Sequence, residues 1–126
     1  MRVLLDTHIL LWYLEGNQSL SRTHRDLIVF ADNEVLVSIA TLWEIAIKTS
    51  TGKLTISRSL TEILKQLSLQ SIEILGVQPG HVMQVAKLVF HHRDPFDRMI
   101  IAQSKVEFLP VITHDKIFSD YGIKLL

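Results

Sequence analysis

The chain has 126 residues, of which 48% are hydrophobic and 21% charged, a composition typical of one globular domain with an apolar core. Lysine plus arginine and aspartate plus glutamate number 13 each, so no overall positive field attracts nucleic acid. Binding to a polyanion would need a local group of basic side chains or a metal ion. The absence of cysteine excludes disulfides, thiolate zinc sites and iron–sulfur clusters.

Neither a targeting segment nor a membrane span is predicted. The start, MRVLLDTHILLWYLEG, mimics a signal peptide only briefly, because Asp6 interrupts the apolar run and no small-residue cleavage site follows. No apolar stretch is long enough to span a membrane. We therefore expect a soluble cytoplasmic protein, and the mean hydropathy of +0.27 suggests that a partner or a second copy covers apolar surface.

Short apolar runs alternate with helical segments along the chain. In chain order the predicted elements are strand RVLL (2–5), helix HILLWYLEG ending at Gly16, helix RDLIVFADN capped by Ser21 or Thr23, strand VLV (35–37), and helix IATLWEIAIKTSTG between Ser38 and Gly52. There follow a helix over 59–69, strand SIEIL (71–75), helices PGHVMQVAKLVFHH and PFDRMIIAQSKVEF, and strands PVIT (110–113) and IKLL (123–126). This alternation predicts a single α/β domain over 1–126, with a mainly parallel sheet covered by helices on both faces.

Two acids follow predicted strands. Asp6 comes directly after RVLL, and Asp115 follows PVIT by one residue. Ligands of open α/β sheets bind beyond the carboxyl ends of the strands, so the two carboxylates could converge there. Each could equally be a turn or helix N-cap aspartate.

Glu44 is the only charged residue in the segment IATLWEIAI, and with Thr41 and Lys48 it makes a narrow polar stripe on an apolar helix. One interpretation is a solvent-facing Glu44–Lys48 pair that stabilises the helix by a few tenths of a kcal/mol. The other is a carboxylate that points into a cleft, where a cation or hydrogen bonds would offset its desolvation.

The segment HRDPFDR contains two aspartates with different predicted roles. Asp94 followed by Pro95 fits an N-cap and first helical position. Asp97 then lies one turn into the helix, where the helix dipole alone would favour an acid, but also beside the apolar Ile100 and Ile101. Asp97 is therefore a candidate ligand as well as a helix-start residue.

Asp6, Glu44, Asp97 and Asp115 can thus converge above one sheet. Oxygen ligands select Mg²⁺ or Mn²⁺, and such an ion can activate water for phosphodiester hydrolysis. No HExxH, GxxxxGK[ST], GxGxxG or GxSxG motif is present, and His91 and His92 are interpreted as surface or core residues on a helix. A haloacid-dehalogenase-type site needs a second acid two residues after Asp6, where His8 stands.

Four segments, LLDTHILLWYL, VSIATLWEIAIKTSTGKL, HRDPFDRMIIAQS and VITHDKIFSDYGIKLL, resemble in order and spacing a PIN-domain protein, and more narrowly the VapC-type toxins of type II toxin–antitoxin systems. The resemblance covers nearly the whole chain. It implies a three-layer α/β/α domain and a Mg²⁺- or Mn²⁺-dependent ribonuclease, usually dimeric and inhibited by a cognate antitoxin. Asp6 and Asp97 would be the principal metal ligands, Glu44 and Asp115 would assist directly or through water, and Thr7 and Thr113 would support them.

The resulting hypothesis is a metal-dependent endoribonuclease toxin, with RNA as its substrate and an antitoxin and a second copy as its protein partners. Candidate contacts to RNA phosphates are Lys48, Arg93 and Arg98, although each could be a solvated surface charge. The alternative is a non-catalytic PIN-like protein-binding module whose acids only cap helices. The tryptophans Trp12 and Trp43 are predicted to pack in the core, with a partner-binding surface as the other possibility.

Overall fold

The computed structural model describes residues 1–126. Its strands are β1 (Arg2–Leu5), β2 (Glu34–Ser38), β3 (Glu73–Leu75) and β4 (Val111–Ile112). Its helices are α1 (Thr7–Glu15), α2 (Arg22–Val29), α3 (Ile39–Ser50), α4 (Leu60–Leu69), α5 (Pro79–Lys87) and α6 (Pro95–Glu107), followed by a 3-10 helix (Lys116–Tyr121). None of the helices combines the length and apolarity that a membrane-spanning segment needs.

The four strands form one sheet in the order β3-β2-β1-β4, and every pair of neighbours is parallel. From β1 the chain first adds β2 and β3 on one side, and it later returns to add β4 on the other. This reversal at β1 opens a crevice beyond the carboxyl ends of β1 and β4, which is where sheets of this kind bind ligands.

Two apolar cores lie on opposite faces of the sheet. Because side chains alternate along a strand, Val3 and Leu5 of β1 pack into a core with α1, α2, α3 and α4, while Leu4 points to the other face. There it packs with α6 and with Phe118 of the 3-10 helix. Helices therefore cover both faces of a parallel sheet, and the predicted three-layer α/β/α fold is confirmed.

The prediction of a full strand at IKLL (123–126) is wrong. Only one parallel bridge forms there, between Val111 and Leu125. The reason is the shortness of β4, whose two residues offer few backbone groups for a further ladder. SIEIL and PVIT likewise shorten to Glu73–Leu75 and Val111–Ile112.

The helix predicted to run through His92 ends earlier, at Lys87, and Leu88 is extended (φ −66°, ψ 134°). Beyond this point the carbonyls of Leu88 and Val89 accept hydrogen bonds from the side chain of Arg98, at 3.2 and 3.0 Å. A tertiary contact thus replaces the helical hydrogen bonds, and the assignment of His91 and His92 to a helix is wrong. Both lie in the loop before α6.

The prediction that both tryptophans pack in the core is wrong for Trp43. Trp12 is partly buried against the core that contains α1. The side chain of Trp43 is 63% exposed, because its helix neighbours Leu42 and Ile45 take the inward-facing positions of α3. Its ring instead meets Phe96 of α6 edge to face, with the centroids 5.4 Å apart.

Candidate active site

Asp6 joins the ends of β1 and β4. Its backbone N–H donates to the Ile112 carbonyl (3.1 Å), and its carboxylate accepts hydrogen bonds from the Ile9 N–H (2.8 Å) and the Thr113 hydroxyl. Asp6 is therefore the N-cap of α1 and also a buried carboxylate at the crevice. Burial raises its pKa, and the hydrogen bonds from Thr113 and Ile9 oppose that rise.

Glu44 is buried rather than solvent-facing, with 3% of its surface exposed. Its two carboxylate oxygens accept from the Thr7 hydroxyl (2.6 Å) and the Lys48 ammonium (2.5 Å). The predicted i,i+4 pair is thus present, and it lies at the cleft. The Glu44 hydrogen bond is the main reason why the pKa of Lys48 is raised, and the nearby charges of Asp94 and Asp97 add to it.

The two aspartates of HRDPFDR occupy different positions. One oxygen of Asp94 accepts from the N–H groups of Phe96 (2.9 Å) and Asp97 (3.0 Å), which makes Asp94 the N-cap of α6 as predicted. Asp97, in the first turn, has its pKa raised to about 7, chiefly by burial. Further contributions come from the negative charges of Asp94, Glu44, Asp6 and Asp115. The four predicted acids therefore lie close enough to act on one another electrostatically.

Asp115 is the most solvent-accessible of the four acids and caps the 3-10 helix by accepting from the Ile117 N–H (3.0 Å). Its own N–H donates to the Thr113 hydroxyl (3.0 Å), which in turn donates to Asp6. Thr113 thus connects the two strand-end acids. They share a cavity of about 510 Å³ with four side chains that were not predicted to lie at the site, namely His8, Trp12, His114 and Lys116.

The three basic candidates occupy different surroundings. Arg93 is exposed, and Lys48 is partly exposed while paired with Glu44. Arg98 is only 4% exposed, and its guanidinium lies 4.0 Å over the Phe90 ring and donates to loop carbonyls. The predicted contact of Arg98 with RNA phosphate would have to replace these hydrogen bonds to the protein backbone.

His92 belongs to the site although it was not predicted there. Its Nε2 lies 3.3 Å from Oδ2 of Asp97, and its Nδ1 lies 2.7 Å from the Tyr121 hydroxyl. A signal was available in the sequence, since Asp94 and Pro95 begin a helix and so place His92 in the preceding loop. The long apolar pattern of PGHVMQVAKLVFHH obscured that boundary.

The donor set suits a hard divalent cation. Four carboxylates and two threonine hydroxyls supply only oxygen ligands, which Mg²⁺ and Mn²⁺ prefer. After burial, the negative charges of the neighbouring acids contribute to the raised pKa of Asp97, and a bound cation would offset both effects. No three acidic or histidine side chains are gathered closely enough to enclose an ion as they stand, so binding requires side-chain adjustment.

The molecule is thus a three-layer α/β/α domain with a parallel sheet and four acids grouped near its β1–β4 crevice. Residues 3–124 match the model of the PIN domain, and the chain belongs to the PIN domain family. PIN domains are generally nucleases that typically use divalent metals. No curated protein matches the sequence.

Solved structures share the fold at low sequence identity. VapBC2 from Rickettsia felis, bound to a DNA fragment from its promoter, is 16% identical with a TM-score of 0.73, covering 100% of this chain and 98% of that one. FitAcB from Neisseria gonorrhoeae is 21% identical (TM-score 0.67; coverage 100% and 96%). VapBC-1 from nontypeable Haemophilus influenzae is 14% identical (TM-score 0.67; coverage 100% and 97%).

Proposed function

We propose that this PIN domain is a Mg²⁺- or Mn²⁺-dependent endoribonuclease that acts in the cytoplasm as the toxin of a type II toxin–antitoxin system. The observation that carries the proposal is the grouping of four acids at the carboxyl end of the sheet. Thr113 links the carboxylate of Asp6 to the backbone of Asp115, and Thr7 at the start of α1 holds Glu44. The charges of Glu44, Asp6 and Asp115 add to burial in raising the pKa of Asp97. A nuclease of this kind needs carboxylates grouped where a substrate phosphate can approach, and the β1–β4 crevice provides such an opening.

In this proposal Asp6 and Asp97 are the principal metal ligands, and Glu44 and Asp115 assist directly or through water. The chemistry that a divalent ion supplies when bound is activation of water and stabilisation of negative charge on the phosphate. The hydroxyls of Thr113 and Thr7 hold the carboxylates of Asp6 and Glu44 in place.

RNA phosphates would meet positive charge at the edges of the cleft. Arg93 is exposed beside the helix start that carries Asp97, and Lys48 keeps a partly exposed ammonium next to Glu44. The cavity beside Asp6 and Asp115 adds Lys116. These local charges supply what the balanced net charge of the chain does not.

The direct test is cleavage of RNA by the purified protein with Mg²⁺, with Mn²⁺ and with EDTA. Loss of a residue that only hydrogen-bonds to a metal ligand costs roughly 10- to 100-fold in activity. Asp97→Asn removes a proposed ligand itself and should reduce cleavage by more than that. Asp26→Asn, at an exposed position of α2, is the matched control and should cleave as wild type does. Equal cleavage by a folded Asp97→Asn variant would refute the assignment.

A cognate antitoxin is proposed as the partner, supported by a groove of about 740 Å³ lined mainly by apolar side chains such as Trp43, Phe90 and Phe96. Trp43 and Phe96 directly precede Glu44 and Asp97, so a partner with apolar and basic side chains could cover groove and acids together. The structures with a similar fold include a toxin–antitoxin complex from Klebsiella pneumoniae and a member of the VapBC family of toxin–antitoxin systems from Mycobacterium tuberculosis, which favours this occupant.

Co-expression with the product of the adjacent reading frame tests the partner. We expect that product to restore growth and to co-purify with the chain. Trp43→Ala should weaken the complex, whereas Leu69→Ala, which removes an equally exposed apolar side chain on α4, should not. Co-purification that is insensitive to Trp43→Ala would place the partner elsewhere.

A homodimer is also proposed. Outside that groove, four large apolar side chains are exposed between residues 74 and 90, namely Ile74, Val82, Met83 and Val89. Such a concentration favours association with a second copy. Sedimentation at micromolar concentration should give twice the mass of the chain, and a strictly monomeric profile would contradict the proposal.

A further inference from the structure

The Tyr121 hydroxyl lies among three nitrogen atoms in a buried position. It is 3.2 Å from the backbone nitrogen of His92, 3.3 Å from Nη1 of Arg98 and 2.7 Å from Nδ1 of the His92 ring. Only 6% of Tyr121 is exposed, so the protein itself must satisfy this hydroxyl.

Hydrogen counting assigns a role to each of the three nitrogens. A backbone N–H and a guanidinium N–H can only donate, and together they use the two acceptor positions of the hydroxyl. The one hydrogen of the hydroxyl has two acceptors within reach, Nδ1 of His92 at 2.7 Å and the His92 backbone carbonyl at 3.5 Å, and the much shorter contact with Nδ1 takes it. A proton on Nδ1 would instead aim three donors at an oxygen with two lone pairs. Nδ1 is therefore the acceptor, and the ring proton lies on Nε2.

With this tautomer, the Nε2–H of His92 donates to Oδ2 of Asp97, across 3.3 Å. This is the one hydrogen bond that the Asp97 carboxylate makes with another side chain. It ties Oδ2 to the loop and leaves Oδ1 without a side-chain hydrogen bond. The contact is long for an N–H···O bond, so it can shorten when the carboxylate adjusts to a ligand.

We propose that His92 is a positioning residue that orients Asp97 for metal binding, with its tautomer set by Tyr121 and Arg98. The metal role of Asp97 rests on the proposed function, whereas the hydrogen-bond chain rests on the contacts alone. Arg98 is the fixed end of that chain, because loop carbonyls hold its guanidinium beneath Phe90. Outer partners of this kind fix the orientation of metal ligands in many sites.

The hydrogen-bond chain is tested first without metal. In ¹⁵N NMR spectra of the metal-free protein, we expect the His92 ring to show the tautomer protonated at Nε2. Tyr121→Phe should reduce that preference, because the hydroxyl hydrogen that selects it is gone. A wild-type ring protonated at Nδ1 would overturn the proposal whatever the activity of the protein.

Mn²⁺ affinity, measured by electron paramagnetic resonance, tests the consequence for Asp97. His92→Leu should weaken binding roughly 10- to 100-fold, and His92→Gln, which keeps an N–H donor near the Nε2 position, should recover most of the loss. The control is His91→Leu, since His91 contacts the Tyr121 ring but not Asp97. Wild-type affinity in His92→Leu would overturn the positioning role, whereas failure of the wild type to bind Mn²⁺ would refute the proposed function instead.

Discussion

At the scale of single residues, Asp97 shows how a helix-start acid acquires a second property. Its position in the first turn of α6 follows from Asp94 and Pro95, but its surroundings come from three other segments of the chain. Burial and the charges of neighbouring acids both disfavour the ionised form, so the pKa rises to about 7 from 3.8. The same carboxylate in an isolated helix would ionise near its ordinary value.

The raised pKa of Asp97 predicts a pH-dependent cost in the metal-free protein. Between pH 4 and 7 the folded state holds a proton on Asp97 that the unfolded state has lost, so stability falls as pH rises through this range. Asp97→Asn removes the titration. Its free energy of unfolding should match that of wild type near pH 4 and exceed it above pH 7, by on the order of 4 kcal/mol at most.

Urea unfolding in EDTA at several pH values measures this difference. The gap between wild type and Asp97→Asn reports the titration of Asp97 together with its electrostatic coupling to the neighbouring acids. Asp26→Asn serves as the surface control. A gap that does not change between pH 4 and 8 would contradict the raised pKa.

Arg93 and Arg98 flank the same helix start but are predicted to behave differently on substitution. Arg98→Ala removes the donors to the Leu88 and Val89 carbonyls and leaves part of the buried site unfilled, which should cost about 2 to 4 kcal/mol of stability. Arg93→Ala, at an exposed position, should change stability by less than about 0.5 kcal/mol and weaken RNA binding. Unfolding curves and RNA binding at low salt measure both effects; equal losses of stability would contradict this division.

At the scale of elements, the start of α6 sets the position of Asp97. Asp94 satisfies two N–H groups of the first turn, and Pro95 has a backbone preorganised for the first helical position. The side chain of Arg98 reaches back to the 88–92 loop and donates hydrogen bonds to the carbonyls of Leu88 and Val89. The loop and the first turn of α6 are thereby coupled, which brings His92 next to Asp97.

Two substitutions of Asp94 separate its capping role from its charge. Asp94→Ala should cost about 1 kcal/mol of stability, because the Phe96 and Asp97 N–H groups lose their acceptor. Asp94→Asn removes the same charge but keeps a capping oxygen, and should stay within a few tenths of a kcal/mol of wild type. Urea unfolding compares the two variants, and equal stability would show that the cap contributes little.

At the scale of the whole molecule, the strand order β3-β2-β1-β4 brings the acids of distant segments close together. β1 and β4 are distant in sequence but adjacent in the sheet, so Asp6 and Thr113 can share a hydrogen bond across a separation of 107 residues. The α3 and α6 helices pack from different sides of the crevice and add Glu44 and Asp97. Ligands from four elements would tie the fold together when they share one ion.

Such an ion should stabilise the folded state as a whole. At a Mn²⁺ concentration about 100 times its dissociation constant, binding to the folded state should increase the free energy of unfolding by about 2.7 kcal/mol. For a chain of this size that corresponds to a rise in Tm on the order of 10 °C. A thermal melt with and without Mn²⁺ measures it, and the Asp6→Asn, Asp97→Asn double variant should lose the rise. No rise in wild type would favour the non-catalytic binding module.

The sequence by itself determined the α/β class, the α6 start at Asp94 and Pro95, and the acids at element ends, because capping and strand periodicity are local. Only the tertiary structure decided the ionisation of Asp97, the burial of Arg98 and the contact of His92, since each depends on groups far away in sequence. Local rules extended α5 through His92 because the apolar pattern continued. In the folded protein the guanidinium of Arg98 donates to the carbonyls of Leu88 and Val89, which therefore do not continue the helix. This contact joins two segments of the chain, so no local pattern predicts it.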